Sequence, residues 1–272
     1  MKKKNKQDVK RTLLVLVLLL LPLGYAAARP AAESQAVNVQ PNVQPGQVIL
    51  LRHGQSFMNV EARVSGWGDT YLTDAGRAAG IAVGELMKRE GVTFDAVYTS
   101  YLARAIKTSW LALEGMDKMY VPVFKSWRLN ETEHGAFEGR TRAENTAAFG
   151  EETVNKWLSS YDVPPPRLTR GTSSPRDDQR YDRDRNLIPE GESILDTYNR
   201  VKAYWNEVLA PAVRSGQTIM VVGHTNVLRV LSKVIDETIE FSDLTQLNIP
   251  NTVPIIYTFD VNLRPIERRV LN

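Results

Sequence analysis

The chain alternates short apolar runs, rich in β-branched residues, with longer amphipathic stretches, and this alternation limits the fold more than any other feature. Apolar runs at 48–51, 94–100 and 219–222 are each followed by a short turn and then by residues with helical periodicity. Runs of this length and composition are typical of strands that are buried on both faces of a sheet. Strands that alternate with helices therefore predict an α/β fold in which helices cover both faces of the sheet.

Element boundaries follow from the same periodicity and from capping residues. Thr73 is a good N-cap for the helix that begins at Asp74, and Gly91 is a stop signal after its last turn. The predicted strands are 48–51, 94–100, 120–124, 219–222 and 255–259, and the predicted helices are 74–90, 102–113, 143–149, 151–160, 193–214 and 227–235.

The segment 162–192 lacks such periodicity. It begins near Pro164, Pro165 and Pro166 and continues with a run rich in arginine and aspartate. Long irregular loops in compact domains are usually disordered or functional, and composition does not separate the two. A lid over the functional site is our preferred hypothesis for this segment.

The first 46 residues differ in character from the rest. Six lysines and arginines among residues 1–11 precede the apolar stretch 13–23 and the small residues 26–28. This order is typical of a secretory signal peptide, with a retained membrane anchor as the alternative. We therefore expect a protein that is exported (periplasmic or extracellular) or tethered to a membrane through residues 1–28. Proline, glutamine and asparagine in 29–46 predict a flexible linker, which leaves 47–272 as the folded domain.

The charge distribution argues against a nucleic-acid partner. The formal net charge is +3, but the excess lies in residues 1–11 and the remainder of the chain is slightly acidic. No stripe of lysine and arginine interleaved with aromatic residues is present in the sequence. The absence of cysteine is compatible with export but is weak support for it.

Two of the three histidines follow directly after apolar runs. His53 stands in an Arg-His-Gly turn after the first predicted strand, and His224 stands in a Gly-His-Thr turn after 219–222. Ligands of open α/β sheets bind at the carboxyl ends of the strands. We therefore predict that the two imidazoles face each other across one anion.

Residues of phosphate-binding type lie near these turns. Arg52 precedes the first histidine and Arg104 follows the run 94–100; a planar guanidinium matches phosphate oxygens two at a time. Glu131 lies in a polar segment after the third predicted strand, where a carboxylate could move a proton to or from a substrate oxygen. Further donors to an anion are expected in the loop after the first histidine, at Asn59, Ser65 and Gly66.

These residue types suffice for covalent phosphoryl transfer. Neutral His53 attacks phosphorus through one ring nitrogen while a backbone carbonyl holds the other. Arg52, Arg104 and His224 neutralise charge on the equatorial oxygens. Glu131 protonates the leaving oxygen and then deprotonates the acceptor. Arginines supply the positive charge, so no metal is required, and the histidine spacing matches no zinc motif.

Several stretches together carry a resemblance to a known family. In chain order they are LLRHGQSFMN, SGWGDTYLTDAG, FDAVYTSYLARAIKTSW, PVFKSWRLNE, GEETVNKW, SYDVPPP, YNRVKAYWNEVLAP, GHTNVLRVLSKVID and LNIP. In these the chain resembles the histidine phosphatase superfamily, and most closely the 2,3-bisphosphoglycerate-dependent phosphoglycerate mutases. The resemblance runs from residue 48 to the C-terminus, and it implies a three-layer α/β sandwich with a mixed, mostly parallel sheet flanked by helices.

The resemblance also implies roles for individual residues. It makes His53 the phosphohistidine and Glu131 the proton donor, within a phosphate pocket formed by Arg52, Arg104, Asn59 and His224. The expected substrate-binding set adds Ser65, Gly66, His134, Arg142, Thr225 and Asn226. Taken by itself, His134 is also consistent with a structural or exposed role. The expected partners are a small phosphorylated substrate and, as a homodimer, a second copy of the chain.

Some positions depart from the mutase pattern. Mutases have two adjacent arginines after a tryptophan, where this chain has Leu158 and Ser159 after Trp157. Each lost charge-assisted contact costs about 1.5–3 kcal/mol of binding free energy, so the affinity for a doubly charged bisphosphate should decrease by several powers of ten. The lysine expected further along is Arg142, and the glycine expected after the second histidine is Thr225.

Three functions are therefore open. The leading one is a phosphoglycerate mutase of glycolysis that interconverts 2- and 3-phosphoglycerate, with 2,3-bisphosphoglycerate as its phosphoryl donor. The alternative is an exported phosphatase that hydrolyses phosphate monoesters, which the lost arginines and the predicted export favour. A binding protein that has lost catalysis is the third, and the complete set of catalytic residue types speaks against it.

Overall fold

The computed structural model of the protein describes residues 43–168 and 174–272. Its strands are β1 (Val48–Arg52), β2 (Ala96–Thr99), β3 (Val123–Lys125), β4 (Ile219–Gly223), β5 (Ile255–Phe259) and β6 (Pro265–Val270). They form one six-stranded sheet in the order β3-β2-β4-β1-β5-β6. The first four strands are mutually parallel, whereas β5 and β6 are antiparallel to their neighbours. The expected mixed, mostly parallel sheet is confirmed.

Helices connect these strands. They are α1 (Phe57–Val60), α2 (Asp74–Arg89), α3 (Ala103–Gly115), α4 (Arg142–Phe149), α5 (Glu151–Ser159), α6 (Ile194–Tyr204), α7 (Ala210–Arg214) and α8 (Thr225–Ile235). A π-helical turn joins α6 to α7 at Trp205–Leu209. Short 3₁₀ turns lie at Trp127–Leu129, Gly135–Phe137, Pro175–Asp177, Gln179–Tyr181, Arg185–Leu187 and Phe241–Asp243.

The sheet is buried on both faces, because successive side chains of a strand point to opposite sides. In β1, Val48 and Leu50 belong to a core cluster that includes residues of α6 and α8. Ile49 and Leu51 belong to a second cluster with residues of α2 and α3. This explains why the central strands are continuous apolar runs rather than alternating ones.

The register of the sheet sets the position of both histidines. In β1 and β4, Arg52 is opposite Gly223, so the next residues, His53 and His224, leave the sheet at the same edge. The backbone N–H of His53 donates to the carbonyl of Gly223 at 3.0 Å. In β2, Thr99 pairs with Val222 and with Lys125, so the segments that follow β2 and β3 also leave at this edge.

Three elements differ most from the sequence-based predictions. The third strand begins at Val123 rather than 120, and it is a short edge strand preceded by Pro122. The predicted helix 193–214 is interrupted by the π turn just before Pro211, which has no N–H to continue the α-helical bonding. The strand β6 was missed because it is an exposed edge strand with charged residues, which lacks the apolar pattern of a buried strand.

The described part of 162–192 packs on the domain through a few apolar side chains. Tyr181 and Ile188 are buried, and they cluster with Trp67 and Leu102. Residues 169–173, within the loop for which a lid was predicted, lie outside the described residues.

The N-terminal predictions concern residues that the structure does not describe. The segment 1–28 and most of the predicted linker 29–46 fall there, although Gly46 already donates to the carbonyl of Val213 at 2.9 Å. In the ranges 43–168 and 174–272, none of the helices combines the length and apolarity needed to span a membrane.

Candidate active site

The two histidines predicted to act together are neighbours in the structure. The rings of His53 and His224 have centroids 5.2 Å apart and planes inclined by 57°. Both side chains are buried, at 3% and 0% exposure. They meet because β1 and β4 are adjacent and parallel, so residues separated by 171 positions follow equivalent strand ends.

The tautomer of His53 follows from its hydrogen bond. Its Nδ1 lies 2.7 Å from the carbonyl oxygen of Gly54, which only accepts, so Nδ1 carries the proton. The Nε2 atom then has a free lone pair, and it makes no hydrogen bond within the described part of the chain. Burial, followed by the charge of Arg104, lowers the pKa of His53 well below 6.5. His53 is therefore a neutral imidazole with one nitrogen free to act as a nucleophile.

Ser100 determines the orientation of the second imidazole. Its Oγ lies 2.8 Å from Nε2 of His224 and also accepts the backbone N–H of Leu102. We assign the Ser100 hydroxyl as the donor, because Nε2 of His224 is the acceptor within its reach among the described residues; Nδ1 of His224 then carries the ring proton. That Nδ1 is buried and has no hydrogen-bond partner within 43–168 and 174–272. Burial, followed by the charge of Arg104, lowers the pKa of His224 well below 6.5.

Two arginines add positive charge beside the histidines. Arg104, at 1% exposure, donates through its Nη atoms to the carbonyls of Gly66 and Gly68. Arg52 donates through Nη1 to the carbonyl of Ile249. The Nε atoms of both arginines are buried and have no hydrogen-bond partner among the residues that the structure describes. A buried donor that lacks a partner is costly, so a bound anion that accepts from these groups would be strongly favoured.

A network of hydrogen bonds holds Glu131. One carboxylate oxygen accepts the backbone N–H of Thr132 at 2.9 Å, and the other lies 3.4 Å from the N–H of Asn226. Its own carbonyl accepts from the indole of Trp67 and from Arg200. The side chain is 8% exposed and lines the same cavity as His53. The carboxyl group is thus held rigidly on the cavity wall.

Arg200 fixes the segment that carries this carboxylate. It forms a buried pair with Glu192 at 2.6 Å, with side-chain exposures of 6% and 5%. It also donates to the carbonyls of Arg128 and Asn130, just before Glu131. Glu192 in turn accepts the backbone N–H of Glu133. The start of α6 and the loop after β3 are therefore joined through one guanidinium.

These groups surround a cavity of about 450 Å³. The structure brings most of the predicted site residues to its wall: Arg52, His53, Asn59, Ser65, Gly66, Arg104, Glu131, His134, Thr225 and Asn226. His224 is fully buried and packs against the ring of His53 rather than lining the cavity itself. Arg142 is not brought to the cavity: it is exposed at the start of α4 and donates to Asn155. The charge expected to replace the family lysine is directed instead toward Asn155 of α5, against which α4 packs.

Sequence reasoning missed several residues of the site. Ser100 directly follows β2, so its position at the edge of the sheet was a usable signal. Arg229 lines the cavity one helical turn after Thr225 on α8, where helical spacing could have found it. Arg63 also lines the cavity, and no local signal distinguished it from a surface arginine.

Comparison with known proteins identifies the family. Residues 48–269 match the sequence profile described as "Histidine phosphatase superfamily (branch 1)". The chain belongs to the histidine phosphatase superfamily. Solved structures with low sequence identity to this chain share its fold.

Three of these structures are phosphatases by name. An α-ribazole phosphatase from Shigella flexneri has 23% identity and a TM-score of 0.64 over 83% of this chain and 96% of that one. A mycobacterial glucosyl-3-phosphoglycerate phosphatase has 22% identity and a TM-score of 0.62 over 83% and 97%. A phosphoserine phosphatase from Entamoeba histolytica has 19% identity and a TM-score of 0.60 over 84% and 97%. At this identity they establish the fold.

The histidines provide a direct test of the site's electrostatics. Burial lowers the pKa of His134 to about 4 and lowers the pKa values of His53 and His224 well below 6.5. All three Cε1–H resonances of the chain should therefore stay at their neutral position as the pH falls through 6.5, while the urea-unfolded chain titrates near that value. Because the unfolded state then binds more protons at the histidines, their contribution to the free energy of unfolding should decrease as the pH falls below 6.5. Glu133 and Glu138 contribute in the opposite direction, since burial raises their pKa values in the folded protein to about 8 and about 7. A histidine that titrates normally in the folded protein would contradict this arrangement.

Ser100→Ala tests the hydrogen bond to His224. Without the hydroxyl, the proton of His224 is no longer confined to Nδ1, and we expect the affinity for inorganic phosphate or vanadate to fall about fivefold to tenfold. The ¹⁵N shifts of the His224 ring should show a mixed tautomer, which a purely structural role for Ser100 would not produce. Ser100→Thr keeps the hydroxyl and should restore both readouts. Identical ring shifts in wild type and Ser100→Ala would refute the assignment.

Proposed function

We propose that this enzyme hydrolyses phosphate monoesters through a phosphohistidine formed at Nε2 of His53. As a member of the histidine phosphatase superfamily, it is a phosphoryl-transfer enzyme. The observation that carries the proposal is the free Nε2 of a neutral imidazole in a cavity that also contains the carboxyl group of Glu131 and two guanidiniums with unpartnered Nε atoms.

Two displacements complete the proposed reaction. Nε2 of His53 attacks phosphorus, the ester P–O bond breaks, and the carboxyl group of Glu131 donates its proton to the departing oxygen. The resulting carboxylate then takes a proton from water, whose oxygen attacks phosphorus as the P–N bond breaks. Inorganic phosphate leaves and neutral His53 is restored, which balances both steps.

Charge stabilisation comes from groups that are already in place. Arg52 and Arg104 lie on the cavity wall beside His53, and Arg229 adds a third guanidinium. Burial lowers the pKa of Arg52; the charge of Glu131 opposes this effect, and repulsion from Arg229 adds to it. A phosphoryl group relieves that repulsion, and pre-positioned charges of this kind account for most of the rate enhancement in phosphoryl transfer.

The residues that line the cavity support hydrolysis rather than mutase activity. Of the two positions where mutases have arginines, Leu158 lines the cavity, while Ser159 is exposed and does not. Arg63 also lines the cavity, but it already pairs with Glu61 at 3.0 Å and with Glu144 at 2.7 Å. Positions 158 and 159 therefore offer no cation to the second phosphate of 2,3-bisphosphoglycerate, and Arg63 is already paired. The phosphatase names of similar structures support the same choice.

Mutase activity is the second candidate. The sequence motifs that resemble phosphoglycerate mutases favour it, and so does the presence of Arg229 in the cavity wall as an additional cation. This candidate requires that the phosphorylated enzyme return its phosphoryl group to a glycerate hydroxyl faster than to water.

Product analysis separates the two candidates. Incubation with 3-phosphoglycerate, with and without added 2,3-bisphosphoglycerate, should release inorganic phosphate without accumulation of 2-phosphoglycerate. The same preparation, quenched in alkali during turnover of a ³²P-labelled monoester, should carry acid-labile, alkali-stable label. Formation of 2-phosphoglycerate faster than phosphate release would establish the mutase instead. Absence of both products and of label for every monoester would contradict phosphoryl transfer at this site.

A further inference from the structure

The cavity is lined by apolar as well as phosphate-binding groups. Besides the groups described above, five apolar side chains line it, from the loop after α1, from α5, from the segment after α5 and from the start of α6. We call these residues the apolar wall: Val64, Trp157, Leu158, Val163 and Ile194.

The apolar wall is rigid at one end and open to solvent at the other. The Trp157 ring packs edge to face against the rings of His134 and Phe137, with ring centroids 5.3 Å and 4.9 Å apart. These contacts fix the orientation of the indole. Leu158 is 43% exposed at the same cavity. An exposed leucine by itself is ordinary, but one that continues a concave apolar surface toward a reactive centre is typical of a binding site.

The charged groups near the apolar wall are already matched. Arg63 donates to Glu144 and Glu61, and these contacts raise its pKa. Glu192 also lines the cavity and is paired with Arg200. Arg229, which lines a small pocket together with Ile194, donates to the carbonyls of Leu247 and Thr245. Among the described residues, the charged groups next to the apolar wall are therefore already hydrogen-bonded or paired.

The volume of the cavity also supports a ligand with an apolar part. Pockets of roughly 300–1,000 Å³ accommodate drug-sized ligands, and this one measures about 450 Å³. A phosphorylated three-carbon acid would contact the phosphate-binding groups and leave the apolar wall in contact with water. A leaving group with an alkyl chain or an aromatic ring would displace that water.

We infer that the substrates of this site are phosphate monoesters whose leaving group carries an apolar body, which contacts Trp157, Leu158 and Ile194. This inference rests on the proposed hydrolysis and adds the class of substrate. Specificity then comes from the apolar wall, while the phosphate-binding groups act alike on every monoester. Leu158 is the position that decides between apolar and anionic leaving groups.

A homologous substrate series tests the inference. We expect kcat/KM to increase along ethyl, butyl and hexyl phosphate, by up to about fourfold for each methylene that the wall buries. Hexyl phosphate should exceed 3-phosphoglycerate by at least about tenfold. Because the phosphorylated centre and the leaving-group chemistry are nearly constant among the alkyl esters, the trend reports contact with the apolar wall.

Substitutions at one position locate the contact. Leu158→Ser should reduce the ratio of kcat/KM for hexyl phosphate over ethyl phosphate by about fivefold, and Leu158→Arg should shift preference toward 3-phosphoglycerate. Leu187→Ser is a matched control, since Leu187 is 68% exposed and does not line the cavity. It should leave the ratio unchanged. Leu158 is exposed enough for these variants to fold.

The outcomes separate the inference from the proposed function. Hydrolysis of all esters with no dependence on chain length, a preference for 3-phosphoglycerate, or an unchanged ratio in Leu158→Ser would overturn the inference alone. Failure to hydrolyse any monoester, with no alkali-stable label on the protein, would overturn the proposed function and the inference with it.

Discussion

His53→Ala is expected to lower kcat/KM for phenyl phosphate by roughly 10⁴-fold or more, because the variant lacks the atom that bonds to phosphorus. The remaining guanidiniums would still bind the anion, so the affinity for inorganic phosphate should change far less than the rate. The measurement is steady-state hydrolysis together with alkali-stable label after a rapid quench. Label on the wild type and none on the variant assigns the covalent step to this residue.

The structure also provides a control for loss of folding. The His53 side chain makes one hydrogen bond, to the carbonyl of Gly54, in the described part of the chain. His53→Asn preserves a polar side chain at the site, yet its amide is not a nucleophile. We expect both variants to unfold cooperatively near the wild-type temperature and both to lack label. A labelled His53→Ala protein would show that a different residue carries the phosphoryl group.

Glu131→Gln is expected to lower kcat/KM for alkyl phosphates by about 10²–10⁴-fold. The amide retains the size of the side chain but cannot donate a proton to the departing oxygen. Esters with acidic leaving groups, such as p-nitrophenyl phosphate, need no such proton and should lose much less in the first step. The plot of log kcat/KM against leaving-group pKa should therefore become steeper in the variant.

A surface carboxylate serves as the matched control for this prediction. Glu207 pairs with Arg128 and its side chain is 61% exposed, so Glu207→Gln removes a carboxylate on the outside of the same domain. It should leave the slope of the plot unchanged. If Glu131→Gln lowered kcat/KM equally for every leaving group, the residue would be positioning the substrate rather than transferring a proton.

Much of the catalytic set could be predicted because it is attached to strand ends. Arg52, His53 and His224 each follow or end a continuous apolar run, and the ends of parallel strands meet at one edge of a sheet. Glu131 was predicted from its place in a polar segment after the third predicted strand, and its side chain lines the same cavity as His53. For these residues, local pattern and a general rule of α/β folds were sufficient.

Other parts of the site depend on how helices pack. Arg142 carries the charge expected near the substrate, but it lies exposed at the start of α4 and bonds to Asn155. Arg63 and Arg229 reach the cavity from the loop after α1 and from α8. Because a side chain's direction depends on the rotation and placement of its helix or loop against the domain, no local pattern specified these positions.

The sequence by itself determined the alternation of the central strands with helices and the meeting of the two imidazoles at one sheet edge with Arg52, because alternating periodicity and parallel pairing leave few arrangements. Only the tertiary structure decided the proton positions on His53 and His224, which depend on the carbonyl of Gly54 and the hydroxyl of Ser100. It alone also gathered the apolar wall from segments up to 130 residues apart, from Val64 to Ile194. Hydrogen bonds and cavity walls of this kind join groups that are distant in the chain. Which groups meet depends on how helices and loops pack, and local sequence patterns do not specify that packing.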